Sequence, residues 1–366
     1  MKIENFIKLI ESEIPVEIAW QKDNIGFQAG NKSEKLNGIL IALDLDSDVI
    51  LEAKKNKCNL IITHHPLIFK EQKNILSDER VGALIQSLIK SNINLYCAHT
   101  NFDSIKNGVS FALAEKLNLK NVRILSSLNN SLLKISVFVP NDFTEKVAIE
   151  MFNAGAGNFL NYKNCSFRSD GVGTFKPSGN AKPTIGKIGQ LEKVNETKLE
   201  MICYDWNLNS VLNAMRKSHP YEEIAYDIFK MENKTEEFGL GAIGEFEKPI
   251  IEKEFLKLVK EKLNQKFVRF AVGKNNAIKK VAVCGGSGSE YIQNAIKKNA
   301  DAFITADIKY HTFQEYENKI LLIDAGHFET EIHSLKNLQR ICSNIIDDKK
   351  IKTFVSKSNN NPVKYF

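Results

Sequence analysis

A chain of 366 residues is long enough for about two domains, and its 43% apolar and 26% charged side chains are those of a globular protein. Its 50 Lys+Arg against 44 Asp+Glu leave +6, but the lysines are scattered with no aromatic-basic stripe, so nucleic-acid binding is not indicated and survives only as a weak third reading, a ring around DNA. Six cysteines without a CxxC pair exclude a disulfide frame or zinc knuckle and read as reduced core thiols, and with no secretory pattern at Met1–Asn5 and no apolar run near ~18 residues the expected location is the cytoplasm, without a membrane span.

Ile3, Phe6, Ile7 and Ile10 stand at helical spacing, and Pro15 closes that helix. Residues 21–30 read as a polar loop. Gly38–Asp44 is a continuous apolar strand, 47–57 a helix, and 58–63 a second strand that stops on His64 and His65. Strand, helix, strand is the signature of a parallel sheet. A helix over about 79–91 leads to the strand 93–98, which ends on His99-Thr100-Asn101-Phe102-Asp103, and 108–118 gives a third helix. Two neighbouring strands thus bring metal-capable side chains to one edge.

After residue 125 the pattern changes. Strand 132–140, helix 142–154, strand-like runs near 164–173 and 187–204, helix 206–217 and strand 225–229 give the order β-α-β-β-α-β, which is ferredoxin-like. The alternation then resumes with strands at 280–284, 302–305 and 319–323, followed by Gly285–Ser289, by Ala306–His311 and by Asp324–Glu331. A helix is expected over 329–344. The predicted fold is therefore α/β: a split, three-layer domain with a mainly parallel sheet at 1–125 and 236–366, and an inserted α+β ferredoxin-like domain at 126–235.

Imidazole is a common metal ligand, and strand C-termini are where ligands bind in α/β sheets. His327 and Glu331 are four apart at a helix start, on one face, and Gly326 permits the sharp entry. With His64, His65 and Asp103 they make three imidazoles and two carboxylates, suited to two divalent ions about 3.5–4 Å apart that activate water. Two divalent ions against two carboxylates leave a positive surplus, which favours an anionic or carbonyl-type substrate. Ligands of N and O fit Zn, Fe, Mn, Co or Ni alike. The competing reading of His64-His65 is a strand-terminal pair packed without metal. His99 reads either as a ligand-orienting or general-base group, the candidate catalytic residue, or as a strand-end histidine with a backbone partner. His311 is placed in the same cleft and His333 on the surface. Gly285–Ser289 reads as a tight turn or an anion cradle, and His219–Glu223 as a turn or a further ligand group.

The motifs Asp23–Gln28, Thr63–Phe69, His99–Asp103, Val283–Ser289, Asp307–His311 and Asp324–Glu331 span nearly the whole chain. With Gly155–Gly157, Cys165–Phe167, Gly171–Phe175 and His219–Glu223 in the insert, it resembles the Nif-three-like family, also called GTP cyclohydrolase I type 2 homologues, in its longer bacterial form. Ala306 departs from the glycine usual before Asp307, and Ile224 from the usual proline or valine. The resemblance implies a dinuclear site on His64, His65, Asp103, His327 and Glu331, a toroidal homohexamer with sites facing its cavity, and an insert like the signalling and copper-tolerance trimers. The family name implies conversion of GTP, and the function read from the residues is a metal-dependent hydrolase acting on a nucleotide-like or other anionic substrate through metal-activated water. The alternative function is a non-catalytic regulatory or scaffold protein whose insert senses a ligand or partner.

Overall fold

The structure, a computed structural model, describes residues 1–128, 131–233, 236–358 and 360–364. The chain divides into two compact units, Met1–Ser127 with Glu236–Phe366, and Leu128–Thr235. The first segment carries β1 (Gly26–Ala29), β2 (Gly38–Ala42), β3 (Leu60–Thr63), β4 (Asn94–Cys97) and β5 (Lys120–Ser127). The inserted unit carries β6 (Leu132–Pro140), β7 (Phe167–Phe175), β8 (Glu192–Tyr204) and β9 (Tyr226–Lys230). The return segment carries β10 (Gly239–Ile251), β11 (Arg269–Ala271), β12 (Ala277–Ser287), β13 (Ala302–Ala306), β14 (Leu321–Asp324) and β15 (Lys352–Val355).

In place of the single mainly parallel sheet expected, the split unit holds two mixed sheets. One has the order β1-β4-β3-β2-β15, parallel except at β1. The other has the order β11-β14-β13-β12-β10-β5, in which only β12, β13 and β14 run parallel. The reason is connectivity. β5 and β10 pair antiparallel, Ser127 opposite Gly239, so the insert occupies the place of a hairpin loop and both strands must run against their neighbours. Four of these strands escaped sequence reading: β1 is short and polar, β5 opens with Lys120 and Asn121, β11 has three residues, and β10 is too rich in glycine to show β-branched alternation.

The central strands are continuous apolar runs because both faces are covered. Ile39, Leu40, Ile41, Leu60, Ile61 and Ile62 are fully buried, and helices Ser47–Lys55 and Arg80–Lys90 pack on that sheet through Val49, Ile50, Leu84 and Leu88. Asp46 caps the first of these helices by accepting from Val49 N at 2.8 Å, an interaction worth about 1 kcal/mol. In the second sheet Val281, Val283, Ile304 and Ile323 face one core, and Ala282, Phe303 and Leu322 the other. Cutting any of these large side chains to alanine costs roughly 2–5 kcal/mol. Their rigidity matters because the strands' C-terminal ends carry the residues described below.

The inserted unit is an antiparallel sheet, β7-β8-β6-β9, with helices Thr144–Asn153 and Leu208–Ser218 packed through Val147, Met151, Val211 and Met215. The expectation of core thiols holds for five cysteines, but Cys165 is exposed, in the turn beyond the Phe159–Tyr162 bridge. Among the described residues no helix is long and apolar enough to cross a membrane.

His219 is a structural group of this unit. Its Nε2–H donates to Phe138 O at 3.0 Å, and its Nδ1 accepts from Tyr221 N at 3.1 Å, so neither ring nitrogen is left for an ion. Burial lowers its pKa from 6.5, outweighing the Phe138 bond and the charge of Glu196, which raise it. The unfolded chain therefore takes up this proton at a higher pH than the folded one, and stability falls as pH drops below 6.5. Denaturant melts followed across that range are expected to show a steeper loss for the wild type than for His219→Gln, and parallel curves would contradict this account.

Candidate metal centre

Every element that supplies the site is a strand C-terminus of the split unit. After β3, the backbone amides of His64 and His65 continue the ladder by donating to Ala42 O and Leu43 O. After β4 come His99 and the single helical turn Thr100–Asp103, and after β14 the chain enters helix His327–Glu331 through Gly326 at φ +80°. The five-stranded sheet thus contributes His64, His65, His99 and Asp103, and the six-stranded sheet contributes His327 and Glu331.

These six side chains meet in one pocket. The ligand-capable atoms of His64, His65 and His99 lie within 4.8 Å of one another, as do those of His65, His327 and Glu331. Glu331 Oε1 stands 3.1 Å from His327 Nε2 and 3.8 Å from His64 Nε2, and its Oε2 stands 3.1 Å from His65 Nε2. Asp103 Oδ1 is 3.7 Å from His64 Nε2. His64 forms the sealed floor, and His327, 39% exposed, lies toward solvent.

The orientation of the rings is decided on their other side. His64 Nδ1 is 2.9 Å from Ala98 O, His65 Nδ1 3.0 Å from Asp44 Oδ1, His99 Nδ1 2.8 Å from Asp23 Oδ2, and His327 Nδ1 2.6 Å from Asp307 Oδ2. A carbonyl or carboxylate only accepts, so each Nδ1 must carry the hydrogen, and each neutral ring presents a lone pair at Nε2. Asp23, Asp44 and Asp307 were not singled out from the sequence as separate groups. They lie 76, 21 and 20 positions from their histidines, and no local spacing marks such pairs.

Does this set fit a cation? His64 Nε2, His65 Nε2, Asp103 Oδ1 and Glu331 Oε2 are all buried atoms without a hydrogen-bond partner, although His65 Nε2 and Glu331 Oε2 approach closely. Buried polar atoms are ordinarily satisfied, and four orphans aimed into one pocket are the pattern a bound cation completes. The electrostatics agree. Burial pushes the His65 imidazole down, but Asp44 and Glu331 outweigh it and hold it up to about 10, and Glu331 with Asp307 likewise holds His327 at about 9. Burial raises Glu331, yet the three surrounding imidazoles keep it well below the usual range. Burial raises Asp103, only partly offset by His64. The sequence-level charge count is corrected here: with Asp23, Asp44 and Asp307 behind the rings, five carboxylates rather than two surround the site. The pocket attracts cations more strongly than expected, and the positive surplus used to argue for an anionic substrate is cancelled.

The glycine loop has a different role from a phosphate cradle. Gly285 N donates to Ser110 Oγ and Gly286 N to Thr330 Oγ1, so these amides are already engaged. Gly286 has φ +61°, and a Cβ there would overlap Glu331 Oε1 and stand 3.1 Å from His327 Nε2. Its smallness lets the two side chains close on the strand. His311 is exposed near Gln314 and is not brought into the cluster. His333 is half-buried rather than fully on the surface: the helix expected over 329–344 breaks into a 3₁₀ turn at Ile332–Ser334, and the His333 Nε2 is buried. Gly286→Ala is expected to lower metal-free stability modestly, because a side chain at φ +61° is strained, and beyond that to displace the Glu331 carboxylate, weakening divalent-ion affinity by roughly 10–100-fold in calorimetric titration. Unchanged affinity would remove this role.

Comparison with known proteins follows the same outline as the geometry. Residues 1–362 match the DUF34/NIF3 (NGG1p interacting factor 3) family. A GTP cyclohydrolase 1 type 2 homologue of Bacillus subtilis is 39% identical over 363 residues, covering 98% of this chain and 97% of the relative. A Staphylococcus epidermidis protein of the same description is 35% identical over 368 residues, with both chains covered completely. Among solved structures, a Bacillus cereus protein related to NIF3 superposes with TM-score 0.86 at 35% identity, covering 100% of this chain and 99% of that one. The chain therefore belongs to the DUF34/NIF3 family.

Proposed function

We propose that this protein is a metal-dependent hydrolase in which two divalent ions are held by His64, His65, Asp103, His327 and Glu331, with His99 moving protons. The observation that carries the reading is the convergence of Nε2 atoms and carboxylate oxygens, buried and without hydrogen-bond partners, from rings locked at Nδ1. Two sites are supported by Glu331, whose oxygens approach different imidazoles. Zn, Fe, Mn, Co and Ni all suit these donors. When bound, such ions supply Lewis acidity that lowers the pKa of a water from about 15.7 toward 7.

The chain's own groups do the remaining work. Asp23 is held to about 2: burial raises it, but bonds from His99 and Thr100 outweigh this. It therefore stays ionised and fixes the His99 tautomer, leaving Nε2 as the atom that exchanges a proton in the pocket. Asp44 and Asp307 hold His65 and His327 against rotation. A nucleotide-like or other anionic substrate is in keeping with the GTP cyclohydrolase part of the relatives' description.

The same reading includes the assembly. The strand order of the inserted unit supports a ferredoxin-like domain in the manner of the signalling and copper-tolerance trimers, and we place it at 126–235 between the two halves of the metal-binding domain. The working assembly is a toroidal homohexamer in the cytoplasm, with the sites facing its cavity.

Turnover is the test. Purified protein loaded with each candidate ion is assayed against GTP, phosphoesters and cyclic amides, and a metal-dependent product that Asp103→Ala abolishes is expected. No such product would leave a non-catalytic metal protein. Asp23→Asn is expected to retain both ions while lowering kcat by about 10²–10⁴-fold, the usual contribution of a positioned acid-base group.

A further inference from the structure

The segment after β15 has no role in the site as described so far, yet it touches both halves of it. β15 lies parallel to β2, and Ser356 N continues that pairing by donating to Ile41 O at 2.8 Å. Ser356 Oγ and Lys357 N then bond to Glu52, which anchors the segment to helix Ser47–Lys55. Beyond this anchor the chain makes two side-chain bonds to different sheets. Asn360 Nδ2 donates to Asp44 O at 3.1 Å, and Asn361 Nδ2 donates to Glu329 Oε1 at 2.9 Å.

Each contact leads to a ring at the centre. Asp44, held through its carbonyl by Asn360, bonds with its carboxylate to His65 Nδ1. Glu329, held by Asn361, rests against Gly326, where a Cβ would overlap its Oε2, and Gly326 is the left-handed residue that launches His327 into the pocket. His65 comes from the five-stranded sheet, and His327 and Glu331 come from the six-stranded sheet. Among the described residues no strand of one sheet pairs with a strand of the other, and the backbone link near the centre is Gly239 N donating to Ser104 O at 2.8 Å, with the Ile105–Phe238 bridge beside it. Asn360 and Asn361 add a second link, at Asp44 and Glu329, and a ligand set distributed over both sheets depends on the separation these links hold.

We infer that Ser356–Ser358 together with Asn360 and Asn361 form a strap that ties the two ligand-bearing edges together, with Asn360 and Asn361 as positioning residues for the ion held by His65, His327 and Glu331. The inference rests on the metal reading above. Behind His64 stands Ala98 O, which Asn360 and Asn361 do not touch, whereas their two contacts fall at Asp44 behind His65 and at Glu329 beside the entry to His327. The strap therefore affects the two ions unequally.

Cobalt is a suitable probe, because its visible absorption reports the geometry of its ligands. The full chain, its Asn360→Ala/Asn361→Ala double variant and a chain shortened after Ser358 are titrated with Co²⁺, and the thermal midpoint of each metal-free protein is measured alongside. Wild type is expected to bind two ions. The double variant is expected to bind one normally and the second at least about tenfold more weakly with an altered spectrum, its metal-free midpoint unchanged. Equal affinities for both ions would overturn the strap, as would a metal-free midpoint that falls in step with affinity, since the segment would then be an ordinary part of the fold. A wild-type chain that binds no Co²⁺ would instead remove the metal reading itself, and the strap's role with it.

Discussion

The structure of the site depends on one repeated interaction: an acceptor-only group bonded to Nδ1 of each of four histidines. Left to itself, imidazole presents either nitrogen and rotates about two side-chain bonds. Ala98 O, Asp44, Asp23 and Asp307 remove that freedom, and in doing so convert four rings from different elements into a set of lone pairs with one common focus. The cost is four ordered acceptors and a pocket crowded with negative charge. Packing around fully buried strands offsets that cost, which is why a site of this kind stands on sheet ends rather than on loops.

That arrangement also constrains the backbone. Glu331 can approach three imidazoles only if nothing occupies the space beside Gly286, and His327 can enter only from a residue that tolerates φ +80°. Thr330 Oγ1 accepts from Gly286 N, so the helix that carries Glu331 is pinned to the strand that makes room for it. The glycines at the end of β12 are thus explained by close approach of side chains, with the Gly285 and Gly286 amides engaged internally.

The corrections follow from what a linear pattern omits. A mainly parallel sheet was inferred from apolar strands separated by helices, yet β10 and β5 are antiparallel because the insert interrupts the chain between them. Their polar and glycine-rich sequences carry no strong strand signal. An uninterrupted 3.6-residue period points His333 outward, and the 3₁₀ turn at Ile332–Ser334 interrupts that period. The charge count at the site was low because Asp23, Asp44 and Asp307 are distant in sequence from the rings they hold.

By itself, the sequence determined the alternation of strands and helices, the change of character near residue 125, the adjacent histidines at a strand end and the His327/Glu331 spacing on one helix face. These are local periodicities and neighbour relations, governed by backbone geometry over a few residues. Only the tertiary structure decided that two sheets rather than one build the site, that Gly286 faces Glu331, and that Asp23, Asp44, Asp307, Asn360 and Asn361 stand behind the ligands. Asn360 lies 316 positions from Asp44, and such pairs form only when packing of the whole unit brings their elements together, so no local rule contains them.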